Sequence, residues 1–143
     1  QDAHLLPARS VGENTAFVLE MTGVPPATVK RRVDHALSVV GLAHKARAYP
    51  RELSGGEQKR ACLARAIVRV PPLLLADEPT ADLDPDSSWR MIKLLERVNE
   101  LGTTVLVATH HREIVDQLGH RVLGLEKGEL VRNVQFGRYS MDA

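Results

Sequence analysis

Between Leu73 and Ala76 the chain runs through four apolar residues, LLLA, and then stops on two adjacent carboxylates, Asp77 and Glu78. A run this short and apolar on both faces predicts a strand inside a parallel sheet, and acids at its end put charge at the carboxyl edge where open α/β sheets bind ligands. Twenty residues upstream, Ser54, Gly55, Gly56 and Glu57 predict the start of a helix. A Ser three residues ahead of a Glu can form a reciprocal capping box over the free backbone N–H groups. The two glycines leave room for an anion to approach those groups closely. Capping alone would account for Ser54, but it leaves the acids at the far end of the stretch unexplained.

The flanking segments complete an alternating α/β pattern. Ser10 is placed to cap a helix ending near Glu20, with Val11, Phe17 and Val18 among its apolar positions. Leu5 and Leu6 just ahead of it are read as core packing in preference to contact with another subunit. A second helix is expected over Ala27 to Val40, with Val29, Val33, Ala36, Leu37 and Val40 on one stripe and Lys30, Arg31 and Arg32 on a solvated outer face. Gly41 ends it, and Leu42 to Glu52 lead into the glycine pair. Asp84 and Pro85 form a cap and first-turn pair for a helix whose stripe is Trp89, Ile92, Leu95, Val98 and Leu101. Thr103 to Thr109 predicts a second buried strand, ending at His110 and His111. A short helix over Arg112 to Leu118 follows, then a hairpin of Arg121 to Glu126 and Glu129 to Val134 around Lys127 and Gly128. The polar tail from Arg138 is expected to fray.

Composition narrows the function classes. With 143 residues and only 3% aromatic side chains, the chain suits one small α/β domain with an aliphatic core. A net charge of +1 gives no electrostatic argument for nucleic acid, and none is expected as a partner. Cys62 falls on an apolar position of the helix after the glycines, so a reduced, buried thiol is expected. No segment approaches the roughly 18 apolar residues of a spanning helix, and no signal-peptide pattern opens the sequence. The chain is expected to be soluble and to meet a membrane only through a partner.

LSGGEQKR followed by LLLADEPTADLD resembles the signature motif, Walker B motif and D-loop of ATP-binding cassette (ABC) ATPases. RSVGENTAFVLE, ALSVVGLAHKARAYP and ELSGGEQKR, read as a series, resemble most the cell-division ATP-binding subunits of the FtsE type. The resemblance implies a P-loop NTPase (ABC ATPase) α/β fold, a partial parallel sheet with flanking helices plus an all-helical signature subdomain. Residues 1–70 would be that helical part with the Q-loop start, and 71–143 the C-terminal part of the RecA-like catalytic core. By the same resemblance, Asp77 binds Mg²⁺, Glu78 is the general base and His110 contacts the γ-phosphate of ATP. Gln1 is the Q-loop glutamine, reaching metal and water. Ser54, Gly55, Gly56 and Glu57 serve a nucleotide held by the opposite subunit of a homodimer, and Asp84 couples the two sites. His111 has no such role and is expected to be exposed. The implied partner is an integral, FtsX-like membrane protein, with the subunit cytoplasmic and peripheral on the inner face of the cell membrane.

Two departures from the family pattern qualify this. Ala81 and Asp82 stand where glycine and asparagine are usual. No G-x-x-x-x-G-K-S/T phosphate loop occurs anywhere in the sequence, so the chain is expected to be a fragment or truncated product that alone binds ATP weakly or not at all. Without the neighbouring strand, Leu73 to Ala76 should expose a sheet edge and favour self-association. Lipoprotein-releasing and macrolide-exporter ATPases share much of the same pattern, and a non-catalytic remnant acting as a binding module is a further alternative. Chromosome and repair ABC ATPases insert a long coiled coil between Q-loop and signature, and ribosome-acting factors carry a different D-loop; neither matches.

Overall fold

The computed structural model describes residues 4–138, which form two compact units divided between Ala108 and Thr109. In chain order the first holds α1 (Val11–Met21), α2 (Pro26–Val39), two single 3-10 turns at Ala43–Lys45 and Pro50–Glu52, α3 (Gly55–Ile67), β1 (Leu73–Asp77), α4 (Pro85–Glu100) and β2 (Thr104–Ala108). The second holds α5 (Arg112–Leu118), β3 (Val122–Glu126) and β4 (Glu129–Val134). Gln1 and the polar tail beyond Arg138 lie outside the described residues. The regular elements from Val11 to Ile67 are all helical.

Helix α1 begins at Ser10, whose hydroxyl accepts from Glu13 N at 3.2 Å while the Glu13 carboxylate accepts from Ser10 N at 2.7 Å. Val11 and Gly12 use their otherwise unpaired N–H groups on the carbonyls of Ala48 and Ala46, both at 2.8 Å. A Cβ on Gly12 would stand 3.0 Å from the Ala46 oxygen, so a larger residue would fit only if that carbonyl gave way by a few tenths of an ångström. Asn14, fully buried, ties the preceding segment to the helix: its Oδ1 accepts from Leu6 N at 2.7 Å and its amide is shared among the carbonyls of Leu6, Arg9 and Ser10. Leu5 and Leu6 are accordingly half-buried.

The core of this unit lies where α1 packs on α2 and α3. Every member of the expected α2 stripe, Val29, Val33, Ala36, Leu37 and Val40, is buried there, with Val11, Leu19, Ala61 and Ala64. On α1, Phe17 and Val18 are only half-buried, and Ala16 and Leu19 take the core positions. Cys62 is free but half-buried rather than buried, because it lies beside the inward face set by Ala61 and Ala64; Arg65 reaches its sulfur at 3.8 Å. The α4 stripe is Met91, Ile92, Leu95 and Val98. Trp89, in the second turn, is half-buried, and Leu101 is exposed because it caps the helix outside its last turn.

Strands β1 and β2 pair in parallel, Leu73 with Thr104 through Asp77 with Ala108. Leu74 is buried and its register partner Val105 half-buried on one face. On the other, Leu73, Leu75 and Leu106 are 50%, 68% and 50% exposed. The expectation of strands buried on both faces is therefore corrected: among the described residues this sheet has two strands, and only one face is covered. In the second unit α5 ends on left-handed Gly119, and β3 and β4 form an antiparallel hairpin. Lys127 and Gly128 both have positive φ, +50° and +86°, the signature of a primed two-residue turn.

An open leucine face beside unpaired strand edges is a template for association. Static light scattering of the 143-residue chain at roughly 10⁻⁴ M should give an average mass above the monomer, and Leu75→Lys should return it toward the monomer. A wild-type chain that scatters as a monomer over that range would contradict this.

Candidate functional site

The sequence-selected residues of the first unit fall on three consecutive features: the start of α3, the end of β1 and the start of α4. Ser54 is extended, φ −65° and ψ 162°, and its hydroxyl accepts from Glu57 N at 3.3 Å. The Glu57 carboxylate turns back to accept from Ser54 N at 2.8 Å. That backbone bond, aided by the Ser54 hydroxyl and the Lys45 and Arg60 charges, holds the Glu57 carboxyl below the usual glutamate range against the opposing effect of burial. Glu57 is thus engaged in the capping box, while the N–H groups of Gly55 and Gly56 have no acceptor within the helix.

These two glycines are not explained by the chain itself. Neither has positive φ. A Cβ on Gly55 would meet nothing within 4 Å, and one on Gly56 would make only ordinary contact with Ser87 and Leu83 at 3.7 to 3.8 Å. No internal contact requires glycine at either position. The same contacts show that the start of α3 sits against the start of α4.

Asp77 ends β1 opposite Ala108 and is exposed; Glu78, half-buried, donates its backbone N–H to the Ala108 carbonyl at 2.9 Å. Glu78 then leaves the strand with φ +42°, a left-handed conformation uncommon outside glycine, asparagine and aspartate. Its carbonyl accepts from Ala81 N at 3.1 Å, Thr80 O accepts from Leu83 N at 3.3 Å, and Asp82 is left-handed at +59°. Thr80 is buried to 2% exposure, and its hydroxyl finds no hydrogen-bond partner. Lys59, from the second turn of α3, donates its ammonium to the Ala81 carbonyl. Asp84 caps α4, its Oδ1 accepting from Ser87 N at 2.9 Å, and the Ser87 bonds hold its carboxyl below the usual aspartate range.

His110 and His111 belong to the second unit, where their rings stack at 4.9 Å between centroids. Both are exposed, and His111 stands at the head of α5. Gln1, assigned to metal and water by resemblance, lies outside the described residues. Sequence reasoning missed the Lys59 contact and the turned backbone at Glu78. The first had no signal, since a lysine in a helix reads as solvated; for the second, the Pro79 that follows marks only a boundary.

The model of the ABC transporter family matches residues 1–81. The chain is 52% identical over 142 residues to the cell division ATP-binding protein FtsE of Streptococcus pneumoniae, covering 99% of this chain and 62% of the relative. It is 50% identical to FtsE of Bacillus subtilis, at 97% and 61% coverage, and 43% identical to the methionine import ATP-binding protein MetN 1 of Acinetobacter baylyi, at 94% and 38%. It thus spans about three fifths of the length of the FtsE relatives. A solved dimeric ATP-binding cassette in a post-hydrolysis state, bound to ADP and Pi, superposes with a TM-score of 0.80 at 31% identity, over 97% of this chain and 62% of that one.

The capping boxes make a pH prediction. Glu13, Glu57 and Asp84 all have carboxyls held below their unfolded values of 4.5, 4.5 and 3.8. Their contribution to stability is complete above those values and is lost as pH falls through the lower folded values. Helix content by circular dichroism and the thermal midpoint should hold steady from pH 7 to 5 and decline below pH 4, and Glu57→Gln should flatten part of that decline. The signature sequence at the head of α3, the acid-tipped strand β1, the family match and the shared fold together establish that this chain belongs to the ABC transporter family, with the fold of its ATP-binding cassettes.

Proposed function

We propose that this chain supplies the signature face and the hydrolytic acids of an ATP-hydrolysing subunit in an FtsE-like ABC complex that drives a membrane partner in cell division. The observation that carries the reading is the pair of glycines opening α3: Gly55 faces open space, Gly56 makes only ordinary contacts, and the N–H groups of both lack a helical acceptor, which suits a phosphate from outside the chain. The Ser54 oxygen accepts from Glu57 N, which leaves its hydroxyl hydrogen to donate to the same phosphate.

The division of labour follows from chemistry and family resemblance. Phosphoryl transfer to water needs a positioned water, a base, charge stabilisation and a phosphate cradle. Glu78 is the base, its backbone held at the sheet edge by Ala108 so that the carboxylate leaves the strand in one direction. The exposed carboxylate of Asp77 is the hard oxygen donor that Mg²⁺ prefers, so Asp77 would hold the ion, with Gln1 as the second metal-associated residue. When bound, Mg²⁺ neutralises charge on the phosphate oxygens. His110 contacts the γ-phosphate. Ser54, Gly55 and Gly56 act on a nucleotide carried by the opposite subunit, with Glu57 fixing the Ser54 backbone and Asp84 coupling the two sites of the homodimer. The solved dimeric cassette supports two-fold assembly, and the FtsE relatives, more similar than MetN 1, favour a cell-division complex with an FtsX-like membrane subunit over an importer. No described helix is long and apolar enough to cross a membrane, so contact with the bilayer would come through that partner at the cytoplasmic face.

The functional division expected from sequence, a signature arm over 1–70 and catalytic elements over 71–143, is part of the same proposal. The test uses a subunit that joins these residues to a phosphate-binding loop. Glu78→Gln should lower turnover by about 10² or more and accumulate an ATP-bound dimer in size exclusion. Gly55→Ala should leave the thermal midpoint equal or raise stability by roughly 0.4–1 kcal/mol, since its φ suits alanine, yet lower turnover at least about tenfold. A Gly55→Ala subunit that hydrolyses ATP at the wild-type rate would remove the glycines from the site.

A further inference from the structure

We propose that Lys59 is a positioning residue: its ammonium latches the turn between Glu78 and Asp84 onto helix α3 and so fixes the backbone from which the Glu78 carboxylate projects. Lys59 Nζ donates to the carbonyl of Ala81, 22 residues further along the chain, in a half-buried setting. The N–H of Ala81 donates to Glu78 O at 3.1 Å, so the latched residue is itself bonded to Glu78. Glu78 and Asp82 both hold left-handed backbones without being glycine. Such conformations persist only where the surroundings over-determine them. The local bonds of the turn, at 3.1 and 3.3 Å, are ordinary neutral ones, and an ammonium-to-carbonyl bond from a different element belongs to a stronger class.

Lys59 also sits in the right place to carry information. It lies three residues after Gly56, on the same side of α3. Gly56 abuts Leu83 and Ser87, so one helix face touches the turn at Ala81 and again at its exit into α4. A phosphate seated at Ser54 to Gly56 would therefore bear on the backbone of Glu78 through a single rigid helix. Capping, core packing and the signature chemistry leave Lys59 without a task. The catalytic consequence rests on the proposed ATPase function; the latch itself is a property of the fold and is read separately.

Two measurements on the 143-residue chain test the latch. In ¹⁵N-lysine-labelled wild type, one side-chain ammonium should show slowed hydrogen exchange, and it should vanish in Lys59→Met. In Lys59→Met the backbone amides of Ala81 and Leu83 should exchange about tenfold faster or more, with α1 and α3 amides changed less than about twofold. Lys59→Arg, which keeps charge and donors, should restore most of the protection. Unchanged Ala81 and Leu83 exchange in Lys59→Met would overturn the proposal, as would a general loss of protection that Lys59→Arg fails to repair. Should Lys59→Met not fold, the wild-type ammonium signal decides alone: a lysine set exchanging uniformly fast refutes the latch. In the hydrolysing subunit Lys59→Met should lower kcat at least about fivefold with KM for ATP within about twofold, the pattern of a lost transition-state geometry. If Glu78→Gln leaves turnover intact while the exchange results hold, the ATPase assignment fails and the latch stands.

Discussion

The hydrogen bond from Glu78 N to Ala108 O is the hinge on which this structure turns. It closes the last rung of the β1–β2 ladder, the Asp77–Ala108 pair, and immediately after it the chain enters a left-handed conformation. Without that bond, alternation along a strand would send Asp77 and Glu78 to opposite faces of a fraying end. With it, Asp77 keeps strand geometry while Glu78 is redirected, and two neighbouring acids acquire different surroundings, one exposed and one half-buried. Different surroundings are what allow two carboxylates to take different chemical roles.

The helix starts serve the same end by other means. Both α3 and α4 begin with an extended residue whose side chain accepts from the third N–H of the helix, Ser54 in one and Asp84 in the other. In α3 the cap is reciprocal, so the acid at Glu57 is spent on Ser54 N and does not project toward the open space over Gly55. An uncommitted glutamate there would repel an anion; a committed one stiffens the serine and leaves the glycine N–H groups as the exposed donors. The sequence motif and the capping motif are therefore not rival explanations of Ser54. Under the proposed function they describe the two sides of one hydroxyl group.

How much of this could be read from the letters depends on the range of the interaction. Ser10, Ser54 and Asp84 announce their helices because a cap is settled within three residues, and the α2 stripe is legible because helical periodicity is local. The strands were legible as strands, since LLLAD and TVLVA are short, apolar and bounded. Their burial was not, because burial depends on what else covers a sheet, and Leu75 and Leu106 face outward together. Trp89 and Leu101 illustrate the smaller failure: hydrophobicity put them on a stripe, while Trp89 is only half-buried and Leu101 lies exposed past the last turn. The residues of the candidate site could be chosen only through motif resemblance, and the turned backbone at Glu78 was not legible at all. Positive φ at a glutamate before proline has no local sequence signature, because it is imposed by contacts from Ala108 and within the turn.

The departures at Ala81 and Asp82 can be weighed on the same physical terms. Asp82 is left-handed at +59°, where glycine or asparagine would sit with less strain. Aspartate tolerates that region better than most side chains, so the cost of the substitution is modest, and the exposed carboxylate needs no partner. Ala81 keeps ordinary φ and donates and accepts through its backbone alone, to Glu78 O and from Lys59 Nζ. A glycine at 81 would make the same bonds with a freer backbone. Alanine therefore narrows the turn's alternatives at the residue the lysine holds, and this chain departs from the family pattern where added stiffness suits the contact it makes.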